Sequence, residues 1–320
     1  MNTLPDEVTE IIEKMMHGIP QETLVRFGSK LRERYQVRDN VSQLETREEH
    51  LVYLACRLPA TYAALFDVFH RLLEMNPEAH PESLLDLGAG PGTAFLAARE
   101  VFGSIKSTLL VERDQQFIDI GKKLIPDSSV SWMPCTIDEV KVVQSFDLVT
   151  ISYALGEQDE EARERLIDLA FAKTKKWLVI VEPGTPHGYK AVIGARERLL
   201  GKGAQIVAPC PHSDACPMQG GDWCHFATRL SRGHLHRIAK GAALGFEDEK
   251  YSYIVMSREH DVSAHDNNRV VREPARRSGH VIVTLCTHNG QLEQKTISRR
   301  DKEHYCLAKK VEWGDILKDP

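Results

Sequence analysis

The first eighty residues carry apolar side chains at helical spacing. Positions 8, 11, 12, 15 and 16 are apolar and follow the i, i+3, i+4, i+7, i+8 pattern of one helix face, and Pro20 ends this helix. Apolar residues at 24, 27 and 31 predict a second helix, and the stretch 61–75 predicts a third. The pattern therefore predicts an N-terminal helical region over residues 1–80.

From residue 81 the pattern changes to short apolar runs separated by helical stretches. Continuous apolar runs of this length are typical of strands that are buried on both faces. Five strands are predicted, at 83–88, 107–113, 130–134, 146–153 and 176–184. Helices are predicted between the first three strands and over 157–173. This alternation predicts an α/β fold over residues 81–200, with a Rossmann-like parallel sheet wrapped by helices.

Residues 201–320 are predicted to hold a cysteine-rich insert and a C-terminal β region. A helix over 230–245 and a strand over 250–258 follow the cysteines, and the polar stretch 259–279 is predicted to be a loop. The last two strands meet at Asn289-Gly290, a favoured hairpin turn. The chain is thus divided into three regions, 1–80, 81–200 and 201–320.

Composition and the N-terminus limit the kind of protein. A hydrophobic content of 42% and a charged content of 27% are typical of a globular chain. No apolar run is long enough to cross a bilayer, so no membrane partner is predicted. The N-terminus is acidic and amphipathic, unlike a secretory signal or a transit peptide, which predicts a cytoplasmic protein. In that reducing compartment, clustered cysteines are more often metal ligands than disulfides.

The net charge of −5 is unevenly distributed. Residues 269–310 hold ten Lys and Arg against four Asp and Glu, a local excess of six positive charges. A basic end on an acidic body indicates a localised contact with a polyanion. The alternative is a solvated basic face without a ligand.

A glycine-rich turn follows the first predicted strand in the sequence LLDLGAGPGTA, residues 84–94. Gly88, Gly90 and Gly92 allow left-handed backbone angles and bring N–H groups close to a ligand at a helix N-terminus. Their G-x-G-x-G spacing differs from the G-x-G-x-x-G of dinucleotide sites. With Asp86 before the glycines and Glu112 ending the next strand, the segment resembles the class I S-adenosylmethionine (SAM) methyltransferases. A tight turn without a ligand is the alternative.

The resemblance implies a set of cofactor contacts but no catalytic residue. Asp86 would lie near the methionine end of SAM, the glycines would allow its close approach, and Glu112 would hold the ribose hydroxyls. Ser152, at the end of the fourth strand, is also expected among the cofactor contacts. That strand ends in Ser-Tyr-Ala-Leu, residues 152–155, instead of the (Asp/Asn)-Pro-Pro-(Tyr/Phe) motif of many amino-methyltransferases. SAM binding is therefore better supported than methyl transfer.

Three cysteines follow one another in the pattern C-x5-C-x7-C, at Cys210, Cys216 and Cys224. Zinc sites prefer C-x2–4-C pairs, whereas Cys-Pro steps in an irregular loop also occur in iron–sulfur sites. A [4Fe–4S] cluster needs a fourth ligand, and zinc with a Cys3His set or incidental buried cysteines remain alternatives. Cys286, just before the predicted hairpin turn, is the favoured fourth ligand among the candidates Cys56, Cys135, Cys286, Cys306, His212 and His225.

Several motifs together resemble one family. They are RLPATYAAL (57–65), LLDLGAGPGTA (84–94), EPGTPHGY (182–189), APCPHSDACPM (208–218) with WCHF (223–226), LCTHNG (285–290) and WGD (313–315). Their joint presence resembles the methyltransferase-like family of small-ribosomal-subunit assembly factors, known from mitochondria and also found in bacteria. The resemblance extends from about residue 50 to the closing WGD.

This resemblance implies a class I methyltransferase fold with a [4Fe–4S] cluster on Cys210, Cys216, Cys224 and Cys286. It also implies association with the small ribosomal subunit and its rRNA, as a SAM-dependent rRNA methyltransferase that promotes subunit assembly and translation. The alternative is a catalytically inactive rRNA-binding assembly factor. The free protein is expected to be a monomer. Phosphate contacts are predicted for Arg276, Arg277, Arg299 and Arg300.

Overall fold

The computed structural model describes residues 2–36, 44–218, 220–259 and 267–318. The helices are α1 Asp6–Met16, α2 Gln21–Gln36, α3 Arg47–Cys56, α4 Leu58–Met75, α5 Thr93–Phe102, α6 Gln115–Leu124, α7 Glu160–Lys173, α8 Pro186–Gly201, α9 His234–Lys240 and α10 Lys302–Ala308. The strands are β1 Ser83–Leu87, β2 Ser107–Glu112, β3 Val130–Pro134, β4 Phe146–Ser152, β5 Thr174–Pro183, β6 Gln205–Ala208, β7 Phe226–Ser231, β8 Phe246–Ser257, β9 Asn267–Val270, β10 Ala275–Arg277, β11 His280–Cys286, β12 Leu292–Ser298 and β13 Ile316–Lys318.

The main sheet has the strand order β3-β2-β1-β4-β5-β8-β6, with β7 also paired to β8. The first five strands are parallel, while β8 runs antiparallel to its neighbours β5, β6 and β7. Buried side chains alternate along β1, so that Leu84 packs with one core cluster and Leu85 with the other. The prediction of an α/β fold is confirmed, and all five predicted strands are present.

The order of strands reverses between β1 and β4. Strands β2 and β3 follow β1 on one side of the sheet, whereas β4 and β5 lie on the other side of β1. In open α/β sheets, ligands bind at such a switch point, beyond the carboxyl ends of the strands. The glycine turn follows β1 at this point, and Ser152 ends β4 beside it. The topology therefore brings the predicted cofactor residues to one edge of the sheet.

The N-terminal region contains one more helix than the sequence pattern predicted. Helix α3 begins after Thr46, whose side chain accepts a hydrogen bond from the N–H of Glu49. This Thr-x-x-Glu arrangement is a helix-start signal that the search for apolar periodicity did not use. Helix α4 then runs from Leu58 to Met75 and packs against α5, β7 and β8. The helices thus cover one face of the main sheet.

In residues 201–318 the predicted elements needed correction. The predicted helix over 230–245 is shorter, because its first residues belong to β7 and only His234–Lys240 is helical. The predicted loop over 259–279 contains β9 and β10, and its residues 260–266 lie outside the described ranges. The hairpin is confirmed, with Cys286 opposite Leu292 and Gly290 at a φ of 75°. The three-region division of the chain remains a prediction.

The last strands form a second, antiparallel sheet, with the order β10-β11-β9-β13 and with β12 beside β11. Arg269 on β9 connects this sheet to the rest of the protein, and only 3% of it is exposed. Its guanidinium donates to Pro209 O at 3.0 Å, to Gly314 O at 2.8 Å and to Glu74 Oε2 at 3.3 Å. One side chain therefore joins α4, the loop after β6 and the C-terminal segment.

Candidate functional site

The glycine turn adopts left-handed backbone angles at Gly88, Gly90 and Gly92, with φ values of 82°, 53° and 90°. A Cβ at Gly92 would lie 2.5 Å from Ile125 Cδ1, so the end of that side chain would have to move to admit one. A Cβ at Gly90 would meet no atom within 4 Å. The backbone at Gly90 therefore faces open space, as expected where a ligand approaches the main chain.

Asp86 is the buried carboxyl at the end of β1. Its Oδ1 accepts a hydrogen bond from Thr150 Oγ1 at 2.7 Å, while Oδ2 has no partner among the described residues. Burial raises the pKa of this carboxyl to about 7, with the Thr150 hydrogen bond opposing the shift. A cationic ligand group near Oδ2 would fill the unused acceptor and favour the ionised form.

Ionisation of Asp86 should make stability depend on pH. Its pKa is about 7 in the folded protein against an ordinary 3.8, so its stabilising contribution is present below pH 4 and is lost as the pH rises through 7. Between pH 5 and pH 8 we expect wild type to lose roughly 2–3 kcal/mol of unfolding free energy relative to Asp86→Asn. Urea unfolding at both pH values measures this difference, and equal losses in the two proteins would contradict it. Burial also raises the pKa of Glu182 to about 7, but this contribution is common to both proteins.

Glu112 lies where the sequence predicted it, at the end of β2, but its carboxylate is bound to the chain itself. Oε2 accepts from the N–H of Gly90 at 2.7 Å and Oε1 from the N–H of Asp114 at 2.8 Å. Burial raises the pKa of Glu112, and these hydrogen bonds oppose the shift. In this state Glu112 stabilises the glycine turn, and its predicted contact with ribose hydroxyls remains a prediction.

A buried histidine, which the sequence analysis missed, connects the helical region to this turn. His50 on α3 has no exposed surface, and its Nδ1 lies 2.7 Å from Thr46 O. Its Nε2 lies 2.8 Å from Oδ2 of Asp114, whose Oδ1 caps α6. The contact joins α3 to the loop that also holds Glu112.

The residue after β4 has an unusual backbone. Among the described non-glycine residues, Tyr153 alone has a positive φ, 57°. Its hydroxyl donates to Glu249 Oε1 at 3.2 Å, and Arg57 donates to both oxygens of Glu249 at 3.1 and 3.3 Å. Burial, followed by the charge of Glu249, raises the pKa of the Tyr153 hydroxyl well above its usual value, so it stays a donor. Sequence reasoning missed this network, since its members lie far apart in the chain.

The four predicted cluster cysteines line one cavity of about 560 Å³, which includes its open mouth. Cys210 follows β6, Cys216 lies in the loop, Cys224 precedes β7, and Cys286 ends β11 of the second sheet. The remaining cysteines lie elsewhere, with Cys306 exposed on α10. We call this space, walled by Cys210, Cys216, Cys224 and Cys286, the four-thiol cavity.

The thiols of this cavity influence one another electrostatically. Burial, followed by the charges of neighbouring cysteines, raises the pKa of Cys286 to about 12 and that of Cys224 well above its usual value. Within residues 2–36, 44–218, 220–259 and 267–318, no three His, Cys, Asp or Glu side chains are grouped so that they could hold a metal ion. The four thiols thus line one cavity, but in the described ranges they do not form a ready-made group of metal ligands.

Helix α8 forms one wall of the four-thiol cavity. The Tyr189 hydroxyl donates to Cys216 Sγ at 3.3 Å, and His212 Nε2 lies 3.4 Å from Cys286 Sγ. Arg196 is 2% exposed and donates to the carbonyls of His212 at 3.1 Å and Asp214 at 2.6 Å. No carboxylate forms a salt bridge with Arg196 in the part of the chain that the structure describes. A buried cation without a carboxylate favours a negatively charged group in this cavity.

The predicted RNA contacts lie around the second sheet. Arg276 and Arg277 belong to β10, and the N–H of Arg299, just after β12, donates to Gly279 O in the turn between β10 and β11. The side chains of Arg277, Arg299 and Arg300 are exposed. Arg276 instead donates to the carbonyls at 309 and 311, at 3.1 and 2.7 Å. The structure therefore brings Arg277 and Arg299 near the same turn, while the Arg276 guanidinium is partly occupied within the fold.

Strand order and site together define the class of protein. A sheet of order 3-2-1-4-5 followed by an antiparallel strand, with an acidic residue and a glycine turn at the switch point, is a class I methyltransferase fold. Solved structures of similar fold include magnesium protoporphyrin IX methyltransferase of Synechocystis PCC 6803, with 11% identity, a TM-score of 0.42, and 76% of this chain and 99% of that one covered. Another is the ribosomal protein L11 methylase of Lactobacillus delbrueckii subsp. bulgaricus, with 14% identity, a TM-score of 0.37 and coverages of 61% and 78%.

The family follows from the sequence match. The family described as mitochondrial small ribosomal subunit Rsm22 matches residues 47–318, and the chain belongs to this family. Human ribosome assembly protein METTL17, mitochondrial, is 28% identical over 83% of this chain and 62% of its own length. Ribosome assembly protein RSM22, mitochondrial, of Saccharomyces cerevisiae is 20% identical over 85% of this chain and 69% of its own.

The relatives are longer than this chain, and their names state a cellular location. The chain spans 62% of the human protein and 44% of the Rsm22-cox11 tandem protein 2 of Schizosaccharomyces pombe. All three relatives are mitochondrial by name, so the predicted cytoplasmic location is not confirmed and remains a prediction. In the described ranges no single helix has the length and apolar character to cross a membrane. Helices α3 and α4 together have sufficient length and apolar composition, but they are bent by 43° at their junction.

Proposed function

We propose that this chain is a SAM-binding, iron–sulfur-containing assembly factor that contacts the rRNA of the small ribosomal subunit. The observation that carries the proposal is the family match over residues 47–318, which includes both the glycine turn and the four-thiol cavity. Methyl transfer from SAM is the reaction typical of this fold class, and rRNA is the proposed acceptor. A monomeric state of the free protein belongs to the same proposal.

The residues at the switch point fit SAM. Open space at Gly90 allows a ligand to approach the main chain, and the unpartnered Oδ2 of Asp86 suits the ammonium group of the methionine moiety. Glu112 would exchange its hydrogen bond from Gly90 for the ribose hydroxyls, and Ser152 lies at the neighbouring strand end. When bound, SAM would supply an electrophilic methyl group.

The four-thiol cavity fits an iron–sulfur cluster better than zinc. Cys210, Cys216, Cys224 and Cys286 supply the four thiolates of a [4Fe–4S] site. The C-x5-C-x7-C spacing of the first three differs from the C-x2–4-C pairs that zinc sites prefer, and Cys-Pro steps in an irregular loop also occur in iron–sulfur sites. Arg196 would offset the negative charge of the thiolates, and metal binding would displace their protons.

The second sheet is the proposed rRNA surface. Arg277, Arg299 and Arg300 are exposed, and guanidinium groups make charged, bidentate contacts with phosphates. Arg276 contributes mainly by fixing the chain near residue 310, because its guanidinium donates to the carbonyls at 309 and 311.

One observation favours the second candidate function, an assembly factor without methyl transfer. Tyr153 takes the place of the proline-containing motif after β4, and its hydroxyl is engaged by Glu249, which also pairs with Arg57. Glu182, at the end of β5, is likewise occupied by the N–H groups of Leu155 and Gly156. Glu249 and Glu182 are therefore not available as general bases without rearrangement.

Sedimentation and label transfer test the two functions together. We expect the tagged chain to co-sediment with small-subunit precursors, and Arg299→Ala/Arg300→Ala to lose this association at lower salt than wild type, because two phosphate contacts change the salt slope by about 2. Incubation of the precursors with [methyl-³H]SAM then reports methyl transfer to rRNA. Label above that of Gly90→Ala supports the methyltransferase, and its absence with intact sedimentation leaves the non-catalytic factor. Failure to sediment with any precursor would contradict both functions.

A further inference from the structure

One face of helix α8 is directed at the four-thiol cavity. Tyr189, Val192, Ile193 and Arg196 line the cavity and follow the i, i+3, i+4, i+7 spacing of a single helix face. The opposite side of α8 packs into the core of the main sheet, where Ala191, Ala195 and Leu199 are buried. The wall that carries Tyr189 is therefore anchored in the main core, and Arg196 on the same face also binds the cysteine loop at the carbonyls of His212 and Asp214.

The Tyr189 hydroxyl is the polar group of this wall that contacts a cysteine sulfur. It lies 3.3 Å from Cys216 Sγ, and tyrosine donates its hydroxyl proton at neutral pH. Cys216 lies between Pro211 and Pro217 in residues 209–218, an irregular segment without helix or strand. Arg196 fixes the backbone before Cys216 at the carbonyls of His212 and Asp214, whereas the Tyr189 hydroxyl contacts the sulfur itself and therefore orients it.

Hydrogen bonds to ligand sulfurs change the properties of an iron–sulfur site. They draw electron density from the thiolate, which favours the reduced state and raises the reduction potential. Groups that orient a ligand also affect metal retention, commonly by 10–100-fold in affinity. Both effects are expected of Tyr189 if Cys216 binds iron.

We propose that Tyr189 is a positioning residue for the cluster ligand Cys216, which holds the thiolate in place and raises the reduction potential of the bound cluster through its hydroxyl. This inference rests on the proposed iron–sulfur site. It assigns the role to the hydroxyl alone, since the ring would line the cavity equally well in phenylalanine.

The same cavity provides a matched control. Tyr253 on β8 also lines it, and its hydroxyl is buried without a hydrogen-bond partner among the described residues. Tyr189→Phe and Tyr253→Phe therefore remove the same atom from the same cavity, but only the first removes a hydrogen bond to a cysteine sulfur. Any effect of cavity volume or polarity is common to both variants.

The test compares wild type, Tyr189→Phe and Tyr253→Phe after anaerobic purification. Iron and sulfide analysis gives the cluster content, and a redox titration followed by electron paramagnetic resonance gives the reduction potential. We expect Tyr189→Phe to shift the reduction equilibrium about tenfold toward the oxidised state, which is about 59 mV more negative for a one-electron couple. Loss of iron to a chelator should be on the order of tenfold faster. Tyr253→Phe should match wild type in both.

Each outcome separates this role from the proposed function. Equal potentials and equal iron loss in wild type and Tyr189→Phe, with a full cluster in both, would overturn the role of Tyr189 and leave the cluster in place. A wild-type protein without iron would overturn the cluster itself, and the role with it. If Tyr189→Phe fails to fold by circular dichroism, resonance Raman spectra of wild type in H₂O and D₂O give the answer. A deuterium shift of the iron–cysteine stretching bands supports a hydroxyl donor, and no shift contradicts it.

Discussion

Replacing Cys286 with alanine is expected to remove the iron–sulfur cluster as completely as replacing Cys216. Cys286 comes from the second sheet, whereas Cys210, Cys216 and Cys224 flank β6 and β7 of the main sheet. Without Cys286, the second sheet contributes no cysteine to the four-thiol cavity. Iron should fall from about four atoms per chain to below one. Anaerobic purification with iron analysis and visible absorption measures this loss.

Cys306→Ala is the matched control for Cys286→Ala. Cys306 is exposed on α10 and does not line the cavity, so its loss should leave iron content unchanged. Cys286→Ala should still fold, because Arg269 and the apolar core around Val283 and Leu285 keep the second sheet in place. Its unfolding midpoint should equal that of wild type from which iron has been removed. Full iron in Cys286→Ala would disprove its ligand role, and stoichiometric zinc without iron in wild type would disprove the cluster.

Gly90→Ala is expected to abolish SAM binding while the protein stays folded. The added Cβ would meet no protein atom within 4 Å and would instead occupy the open space at the glycine turn. The left-handed φ of 53° adds a cost of about 1–2 kcal/mol for a residue with a Cβ. Isothermal titration calorimetry with SAM should show at least a hundredfold weaker binding than in wild type.

Gly103→Ala separates the backbone strain from the steric effect. Gly103 also has a left-handed φ, 62°, and no atom within 4 Å of its Cβ position, but it lies at the far end of α5 from the glycine turn. Both variants should lose similar stability in urea unfolding, and only Gly90→Ala should lose SAM affinity. Equal SAM affinity in Gly90→Ala and Gly103→Ala would contradict a cofactor site at this turn.

Local signals were enough to predict the sheet and the glycine turn. The five parallel strands are continuous apolar runs, and the turn that follows β1 has few alternatives to glycine at position 92, where packing and backbone angle agree. The same holds for the hairpin at Asn289-Gly290. In these segments the structure depends on neighbours in sequence, which is why their pattern is informative.

Contacts between distant segments could not be predicted in this way. Arg57, Tyr153 and Glu249 form one network although almost two hundred residues separate its ends, and each residue by itself looks like an ordinary polar or aromatic position. Strands β9 and β10 were predicted as loop because their residues are mostly polar or charged. In β9, Asn268 and Arg269 are buried through specific hydrogen bonds instead of apolar packing, whereas Arg276 and Arg277 of β10 are exposed. The proximity of Cys286 to the other three cysteines was indicated by family resemblance and not by spacing alone.

Arg269 has a mechanical consequence for the second sheet. Its guanidinium is buried and bonded at once to α4, to the loop after β6 and to the segment before β13. A rotation of the second sheet relative to the main sheet would break these hydrogen bonds and leave the buried charge of Arg269 unpaired. Binding at the exposed arginines would therefore move the second sheet and the main sheet together. Docking through these arginines would thus also orient the main sheet.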